Sequence, residues 1–179
     1  MSEQLVPINP LENVRIHAEK VLFTPEQLKQ ELPLPEKGHQ FILSARKTVA
    51  DIIHKRDSRL LVIAGPCSIH DLAAAKEYAL KLKKLSDELQ DQFYILMRVY
   101  FEKPRTTVGW KGYINDPFMD DSFRVDVGMA KAREFLLQVN EIGLPAGTEA
   151  LAVPPATGAA AAEAARPGAL SYREEEMAG

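Results

Sequence analysis

The sequence predicts an α/β fold built on a parallel sheet. Amphipathic helical patterns separate three short apolar runs that are typical of strands, at 60–64, 93–97 and 145–151. Strands that alternate with helices favour right-handed βαβ units, because each crossover brings the next strand back parallel to the one before it. The most distinctive polar residues follow these runs at Cys67, at Arg98 and at Glu149. We therefore expect functional side chains at the carboxyl edge of the sheet.

The N-terminal region predicts two helices before the first strand. Residues 1–22 show weak periodicity and are expected to form an arm. Residues 24–27 (TPEQ) combine a capping threonine, a proline that suits the first helical position and a glutamine that completes a capping box. Pro33 and Pro35 end this helix. A second helix extends to about His54, with an apolar stripe of Ile42, Ala45, Val49 and Ile52.

Two longer helices are predicted after the first and second strands. Asp71 is a suitable N-cap for a helix over 72–90. Its apolar face is predicted to comprise Tyr78, Leu82, Leu85 and Leu89. The helix over about 125–142 has an apolar side comprising Met129, Ala132, Leu136, Val139 and Ile142. Gly143 ends it.

Composition indicates an ordinary globular protein. The chain has 179 residues, a hydrophobic fraction of 46%, a charged fraction of 26% and a net charge of −3. This balance argues against nucleic acid or an anionic membrane as a partner. No apolar run approaches the ~20 residues of a transmembrane helix, and the N-terminus lacks the pattern of a signal peptide. The single cysteine permits no internal disulfide, so we expect a reducing, cytoplasmic location.

Residues 98–112 (RVYFEKPRTTVGWKG) form a cationic segment directly after the second strand. Its four cations are Arg98, Lys103, Arg105 and Lys111. Cations on a loop shaped by glycine and proline suit phosphate and carboxylate groups, since Arg pairs with them bidentately and Lys supplies a compact charge. A solvated basic loop is the alternative interpretation of the same residues.

Cys67 lies in a second distinctive segment, residues 65–71 (GPCSIHD), which follows the first strand. A lone cysteine is most often a small buried hydrophobe, so the residue alone favours a structural role. We interpret His70 as structural as well. The same interpretation applies to the remaining histidines, His17, His39 and His54.

Together, the GPCSIHD and RVYFEKPRTTVGWKG segments closely resemble the 3-deoxy-D-arabino-heptulosonate 7-phosphate synthase (DAHP synthase) family, in its type I, amino-acid-regulated form. The resemblance covers about residues 10–151. It includes shorter matches at 114–117 (INDP), 119–120 (MD), 143–145 (GLP) and 148–151 (TEAL). It implies the N-terminal portion of a (β/α)8 TIM barrel with an N-terminal helical extension, truncated after about three of the eight strands.

The resemblance implies a transferase. The family condenses phosphoenolpyruvate with erythrose 4-phosphate to DAHP and phosphate, the first step of the shikimate pathway to aromatic amino acids. These two substrates are the implied partners, together with a homo-oligomer to which the N-terminal arm contributes. The implied cofactor is a divalent metal, Mn, Fe, Co or Zn, with Cys67 as one ligand. The family's other ligands, a His, a Glu and an Asp, belong to later strands that we do not find.

The resemblance also assigns roles to individual residues. Arg98 and Lys103 match residues that hold phosphoenolpyruvate, and Lys103 is the candidate proton donor. The residues that match the erythrose 4-phosphate site are Pro104, Arg105 and Thr106. Glu149 matches an acidic residue near phosphoenolpyruvate that positions the attacking water. We assign Trp110 and Lys111 to loop packing and solvation.

Three regions follow from this interpretation. We expect an N-terminal arm with helices over 1–55, the first part of the barrel over 56–151, and a tail over 152–179. Ala, Gly and Pro occupy 16 of the 28 tail positions, so we predict a poorly ordered segment outside the family pattern. The alternatives to an active synthase are a catalytically inactive truncated fragment, at most an oligomer partner, and a generic sugar-phosphate-binding barrel fragment.

Overall fold

The computed structural model describes residues 22–103 and 109–148, and the predicted arm and tail lie outside these ranges. The elements of the described part are α1 (Pro25–Glu31), α2 (Glu36–Ile53), β1 (Leu60–Ala64), α3 (Leu72–Glu88), β2 (Phe93–Arg98), α4 (Val125–Ile142) and β3 (Ala146–Gly147). The predicted alternation of strands and helices is confirmed. Helix α2 begins earlier than its apolar stripe, directly after Pro35, which occupies the N-cap position.

The strands of the described part form one parallel sheet in the order β1-β2-β3. All five residues of β1 pair with β2. Strand β3 joins the other side of β2, where Arg98 lies opposite Gly147, and the Val99 amide donates to the Gly147 carbonyl at 2.8 Å. The sequence predicts a third strand over 145–151. Within the described part, the strand comprises only Ala146–Gly147, and Thr148 is no longer part of it. All three strands therefore end at one edge of the sheet.

Helices α3 and α4 cover one face of the sheet and enclose the core with it. Ile95, Met97 and Val99 point from β2 and its extension into this core. Helix α4 contributes the apolar side that the sequence predicts, apart from the half-buried Ile142. Gly143 ends the helix in the left-handed conformation, with φ of +77°.

The predicted apolar face of α3 is wrong in part. Leu82 is buried, but the other three side chains are exposed: Tyr78 by 37%, Leu85 by 44% and Leu89 by 38%. The buried positions are instead Ala75 and Ala79, together with Leu82. Small alanine side chains let the helix approach its neighbours closely, whereas the sequence pattern weighted the larger apolar residues.

The opposite face of the sheet packs against α2. Val49 of α2 lines an apolar cavity of about 180 Å³ with Leu61 and Ile63 of β1 and Leu96 of β2. The outer side of β1 is poorly covered within the described part, because Leu60 is 62% exposed and Ile63 is 56% exposed.

Two polar features fix the helices. The predicted capping box of α1 is confirmed, since Thr24 and Gln27 exchange hydrogen bonds at 2.9 Å and 3.2 Å. Arg133 is buried in α4, and its Nε donates to the Leu32 carbonyl at 2.8 Å, which ties α4 to the end of α1. Burial lowers the pKa of the Arg133 guanidinium.

No helix of the described ranges is long and apolar enough to cross a membrane.

The N-cap of α3 supports a prediction about stability. The Asp71 carboxylate accepts from the amides of Ala73 and Ala74 at 2.8 Å and 3.1 Å, as the sequence predicts. We expect Asp71→Ala to lower the free energy of unfolding by about 1 kcal/mol in urea titrations, because two amides lose their acceptor. Asp71→Asn keeps an acceptor and is expected to lose less. Asp91→Ala, in the exposed turn after α3, is the control, and an equal loss there would contradict a capping role.

Candidate active site at the carboxyl edge of the sheet

The segment that links β1 to α3 lies directly against the end of β2. A Cβ atom on Gly65 would lie 2.5 Å from the Arg98 carbonyl oxygen, so this position accepts only glycine without a shift of the backbone. Further along, the Ile69 amide donates to the Tyr100 carbonyl at 2.7 Å. These two contacts hold Cys67, which lies between them in sequence, beside the end of β2.

The chain after β2 turns back on itself before it reaches α4. Glu102 and Gly112 form an antiparallel bridge, and the Lys103 amide donates to the Lys111 carbonyl at 3.0 Å. Gly112 has φ of +107°, and a Cβ atom there would overlap the Phe101 carbonyl oxygen. This bridge fixes Lys103 at the base of the loop that the sequence assigns to substrate. The sequence analysis did not predict this bridge, although Gly112, late in the cationic segment, could have indicated it.

The returning strand of this bridge is closed by side-chain hydrogen bonds. The Trp110 indole Nε1 donates to the Asp116 carbonyl at 2.7 Å, and Asn115 Nδ2 donates to the Lys111 carbonyl at 3.3 Å. The buried Asp116 carboxylate accepts from the Asp121 amide at 3.2 Å. The assignment of Trp110 to loop packing is confirmed. Sequence reasoning gave Asp116 no role of its own, and its buried carboxylate closes the turn.

Three predicted site residues meet at the strand ends. The Lys103 Nζ lies 3.0 Å from the Cys67 Sγ, and the Arg98 Nη2 donates to the Cys67 carbonyl at 3.3 Å. Cys67 is exposed, so its interpretation as a small buried hydrophobe is wrong. The segments after β1 and β2 therefore bring one thiol and two cations together, as expected if the strands are parallel neighbours.

The Arg98 guanidinium stacks on an aromatic ring that the sequence analysis did not single out. Its Cζ lies 3.9 Å from the centroid of the Tyr100 ring. Its Nε is buried and has no hydrogen-bond partner in the described part of the chain. The sequence could have indicated this contact, because Arg98 and Tyr100 are two residues apart and alternate residues of an extended strand point to the same side.

The remaining predicted site residues fall where the structure gives no description. The three erythrose 4-phosphate residues, Pro104, Arg105 and Thr106, lie outside the described ranges, and so does Glu149. Within 22–103 and 109–148, no group of three or more His, Cys, Asp or Glu side chains is placed to hold a metal ion. Among the described residues, the sequence analysis names only Cys67 as a candidate metal ligand.

Comparison with known proteins decides the family. The model of the DAHP synthetase I family matches residues 27–174. The chain belongs to this family. This confirms the resemblance seen in the sequence. The family match also continues past Leu151, where the sequence resemblance ended, and so enters the predicted tail.

Individual members of the DAHP synthetase I family show the same relationship. The Tyr-sensitive phospho-2-dehydro-3-deoxyheptonate aldolase of Escherichia coli K12 is 57% identical over 141 residues, which are 79% of this chain and 40% of that protein. A phospho-2-dehydro-3-deoxyheptonate aldolase of Amycolatopsis methanolica is 45% identical over 141 residues, 79% of this chain and 70% of that protein. The solved structure of the Francisella tularensis SCHU S4 aldolase matches with 49% identity and a TM-score of 0.73, over 76% of this chain and 40% of that one. The chain spans about 40% of the length of the Escherichia coli relative and about 40% of the Francisella tularensis structure.

The single candidate ligand supports a prediction about metal binding. We expect the 179-residue chain to retain no more Mn²⁺ than its Cys67→Ser variant after equilibration with one equivalent and dialysis, because one thiolate does not make a stable site. Elemental analysis of both proteins measures this. Retention of one equivalent by the wild type and its loss in Cys67→Ser would contradict the expectation, and would mean that residues outside the described ranges complete a site.

Proposed function

We propose that this chain carries the phosphoenolpyruvate-binding part of a DAHP synthase active site. One observation carries the proposal: Arg98, the last residue of β2, and Lys103, which follows β2, both reach Cys67, which follows β1. In the described ranges, neither cation pairs with a carboxylate. Two cations with no carboxylate partner among the described residues suit a ligand that has both a carboxylate and a phosphate.

Each cation has a proposed role in the condensation of phosphoenolpyruvate with erythrose 4-phosphate. Arg98 and Lys103 hold the carboxylate and the phosphate of phosphoenolpyruvate. Lys103 gives a proton to the aldehyde oxygen of erythrose 4-phosphate as carbon 3 of phosphoenolpyruvate attacks the aldehyde carbon. Glu149 positions the water that adds at carbon 2 before phosphate leaves. Family membership supports these roles, and the position of Lys103 beside Cys67 agrees with them.

The erythrose 4-phosphate site is proposed for the residues that lie in sequence between Glu102 and Gly112, which form a bridge. We propose Pro104, Arg105 and Thr106 for it, with Arg105 and Thr106 on the phosphate. A bidentate guanidinium and a hydroxyl are suitable partners for a phosphate group. Support comes from the family match, which covers these residues.

We further propose Cys67 as one ligand of a divalent metal, Mn, Fe, Co or Zn, in complete members of the family. Its exposed Sγ at the carboxyl edge of the sheet, 3.0 Å from the Lys103 Nζ, supports this role. A thiolate is a suitable ligand for these metals. The described residues supply no group of ligands that would complete the site.

The wider organisation follows the same proposal. We place the first part of a (β/α)8 barrel at 56–151, after an arm and helices at 1–55, with the tail at 152–179. A homo-oligomer and a cytoplasmic location belong to this proposal, since an exposed thiol persists in a reducing compartment. The alternative is a catalytically inactive fragment that acts at most as an oligomer partner. The 40% coverage of the first relatives favours this alternative for the isolated chain.

The first functional prediction concerns the isolated chain. We expect it to form DAHP at least about 10³-fold more slowly than a full-length relative, because the loss of a single preorganised electrostatic group already costs ~10²–10³ in rate. The assay measures DAHP from both substrates in the presence of Mn²⁺. Turnover within about tenfold of the relative would exclude the inactive alternative.

The second functional prediction locates substrate binding on the cationic segment. Residues 1–151 are joined to the C-terminal part of the Escherichia coli Tyr-sensitive relative, and steady-state kinetics are measured. Lys103→Ala is expected to lower kcat strongly, because it removes a substrate charge and the proton donor. Arg105→Ala is expected to raise mainly the KM for erythrose 4-phosphate, since a phosphate far from the reacting carbon contributes uniform binding.

Lys111→Ala is the matched control for these kinetics. It removes a lysine from the same segment, and we expect little effect on either constant. Equal and mild effects of Lys103→Ala and Lys111→Ala would indicate a solvated basic loop and would overturn the assignment of the site.

A further inference from the structure

The ring of Tyr100 lies under the guanidinium of Arg98. The Arg98 Cζ is 3.9 Å from the ring centroid, within the range of a cation–π contact. The two side chains share one side because they are two residues apart in extended chain. The backbone around them is fixed by the bond from the Ile69 amide to the Tyr100 carbonyl and by the bond from the Val99 amide to the Gly147 carbonyl.

Stacking holds a guanidinium without using its hydrogen-bond donors. All N–H groups of arginine lie in the plane of the guanidinium, so a ring against the face leaves the edges available. In Arg98, the Nη2 makes one long bond of 3.3 Å to the Cys67 carbonyl. The Nε is buried and has no partner in the described part. Stacking on Tyr100 therefore uses none of the in-plane donors of Arg98, and such donors can bind a carboxylate or phosphate bidentately.

The partner also determines how much charge Arg98 offers to a ligand. A carboxylate in place of Tyr100 would fix the guanidinium equally well but would neutralise it. Within 22–103 and 109–148, Arg98 makes the hydrogen bond to Cys67 and the contact with Tyr100, and it makes no ion pair. The aromatic ring thus fixes the cation and leaves its charge for an anion.

We propose that Tyr100 is a positioning residue, which holds the Arg98 guanidinium so that its in-plane donors meet an anionic group of phosphoenolpyruvate. This inference rests on the proposed function, in which Arg98 binds that substrate. The ring performs the task and the hydroxyl does not, because the contact is made by the ring face. Phenylalanine is therefore expected to replace tyrosine here.

Tyr100 also lines the apolar cavity over β1 and β2, so its truncation has a structural cost of its own. Tyr94 provides a matched control. It lies on β2, which leads into Tyr100, and on the same side of the sheet, and its ring contacts a different cation, Arg59, with the Cζ 5.2 Å from the centroid. Tyr94→Leu therefore removes an equivalent ring and leaves the Arg98 contact in place.

The experiment uses the 179-residue chain and two measurements. NMR records the signals of the Arg98 Nε–H and of the adjacent methylene, which the ring current of Tyr100 shifts, and Arg98→Lys assigns them. Titration with phosphoenolpyruvate gives the dissociation constant. We expect Tyr100→Leu to lose the shift and to weaken binding by about 3- to 30-fold, the range for one partly desolvated cation–π contact. We expect Tyr100→Phe to keep the shift and to bind within about twofold of wild type.

The outcomes separate this inference from the proposed function. An Arg98 shift that survives in Tyr100→Leu, an affinity that Tyr100→Leu leaves unchanged, or equal weakening by Tyr100→Phe and Tyr100→Leu would overturn the positioning role. Equal weakening by Tyr94→Leu would overturn it too, since general destabilisation would explain the loss. If the wild type does not bind phosphoenolpyruvate, the proposed function fails for this chain, and the NMR shift alone decides whether Tyr100 holds Arg98.

Discussion

The close approach of the Gly65 backbone to Arg98 is the constraint on which the site depends. With no side chain at this position, the turn after β1 packs directly on the end of β2. The approach places the Cys67 carbonyl within 3.3 Å of Arg98 Nη2, and the Cys67 Sγ within 3.0 Å of Lys103 Nζ. A larger residue would separate two adjacent strand ends at the point where their chemistry meets. Backbone packing therefore sets the distances between the site residues, and the side chains add to it.

The parts of the fold that depend on local pattern were predictable from the sequence. Strand β1, helix α4 and the cap at Asp71 match their predicted positions, because periodicity and capping are encoded within a few residues. The buried face of α3 was not predictable in the same way, since Ala75 and Ala79 face the core through close packing that hydrophobicity does not reveal. The juxtaposition of Cys67, Arg98 and Lys103 followed from parallel topology, whereas the Tyr100 contact depends on a rotamer.

Arg98 differs from several other cations of the described part in the kind of partner that it has. Some surface cations of the described part pair with carboxylates one helical turn away, as in Lys47 with Asp51 and Lys81 with Glu77. Arg59 likewise pairs with Asp57 and lowers the pKa of that carboxyl to about 2. Arg98 instead has an aromatic partner and a buried Nε that no described group satisfies. A buried donor without an acceptor costs about 1–3 kcal/mol.

The hydrogen bond from Trp110 to the Asp116 carbonyl has a spectroscopic consequence. The chain contains a single tryptophan, so its emission comes from one place, the turn that closes the cationic segment. The indole is half-buried, and the wavelength of its fluorescence emission depends on the polarity around Nε1. A change in the polarity around this indole would therefore be visible as a shift in the wavelength or intensity of the emission of unlabelled protein. Trp110 is therefore an intrinsic fluorescent probe in the cationic segment at the edge of the sheet.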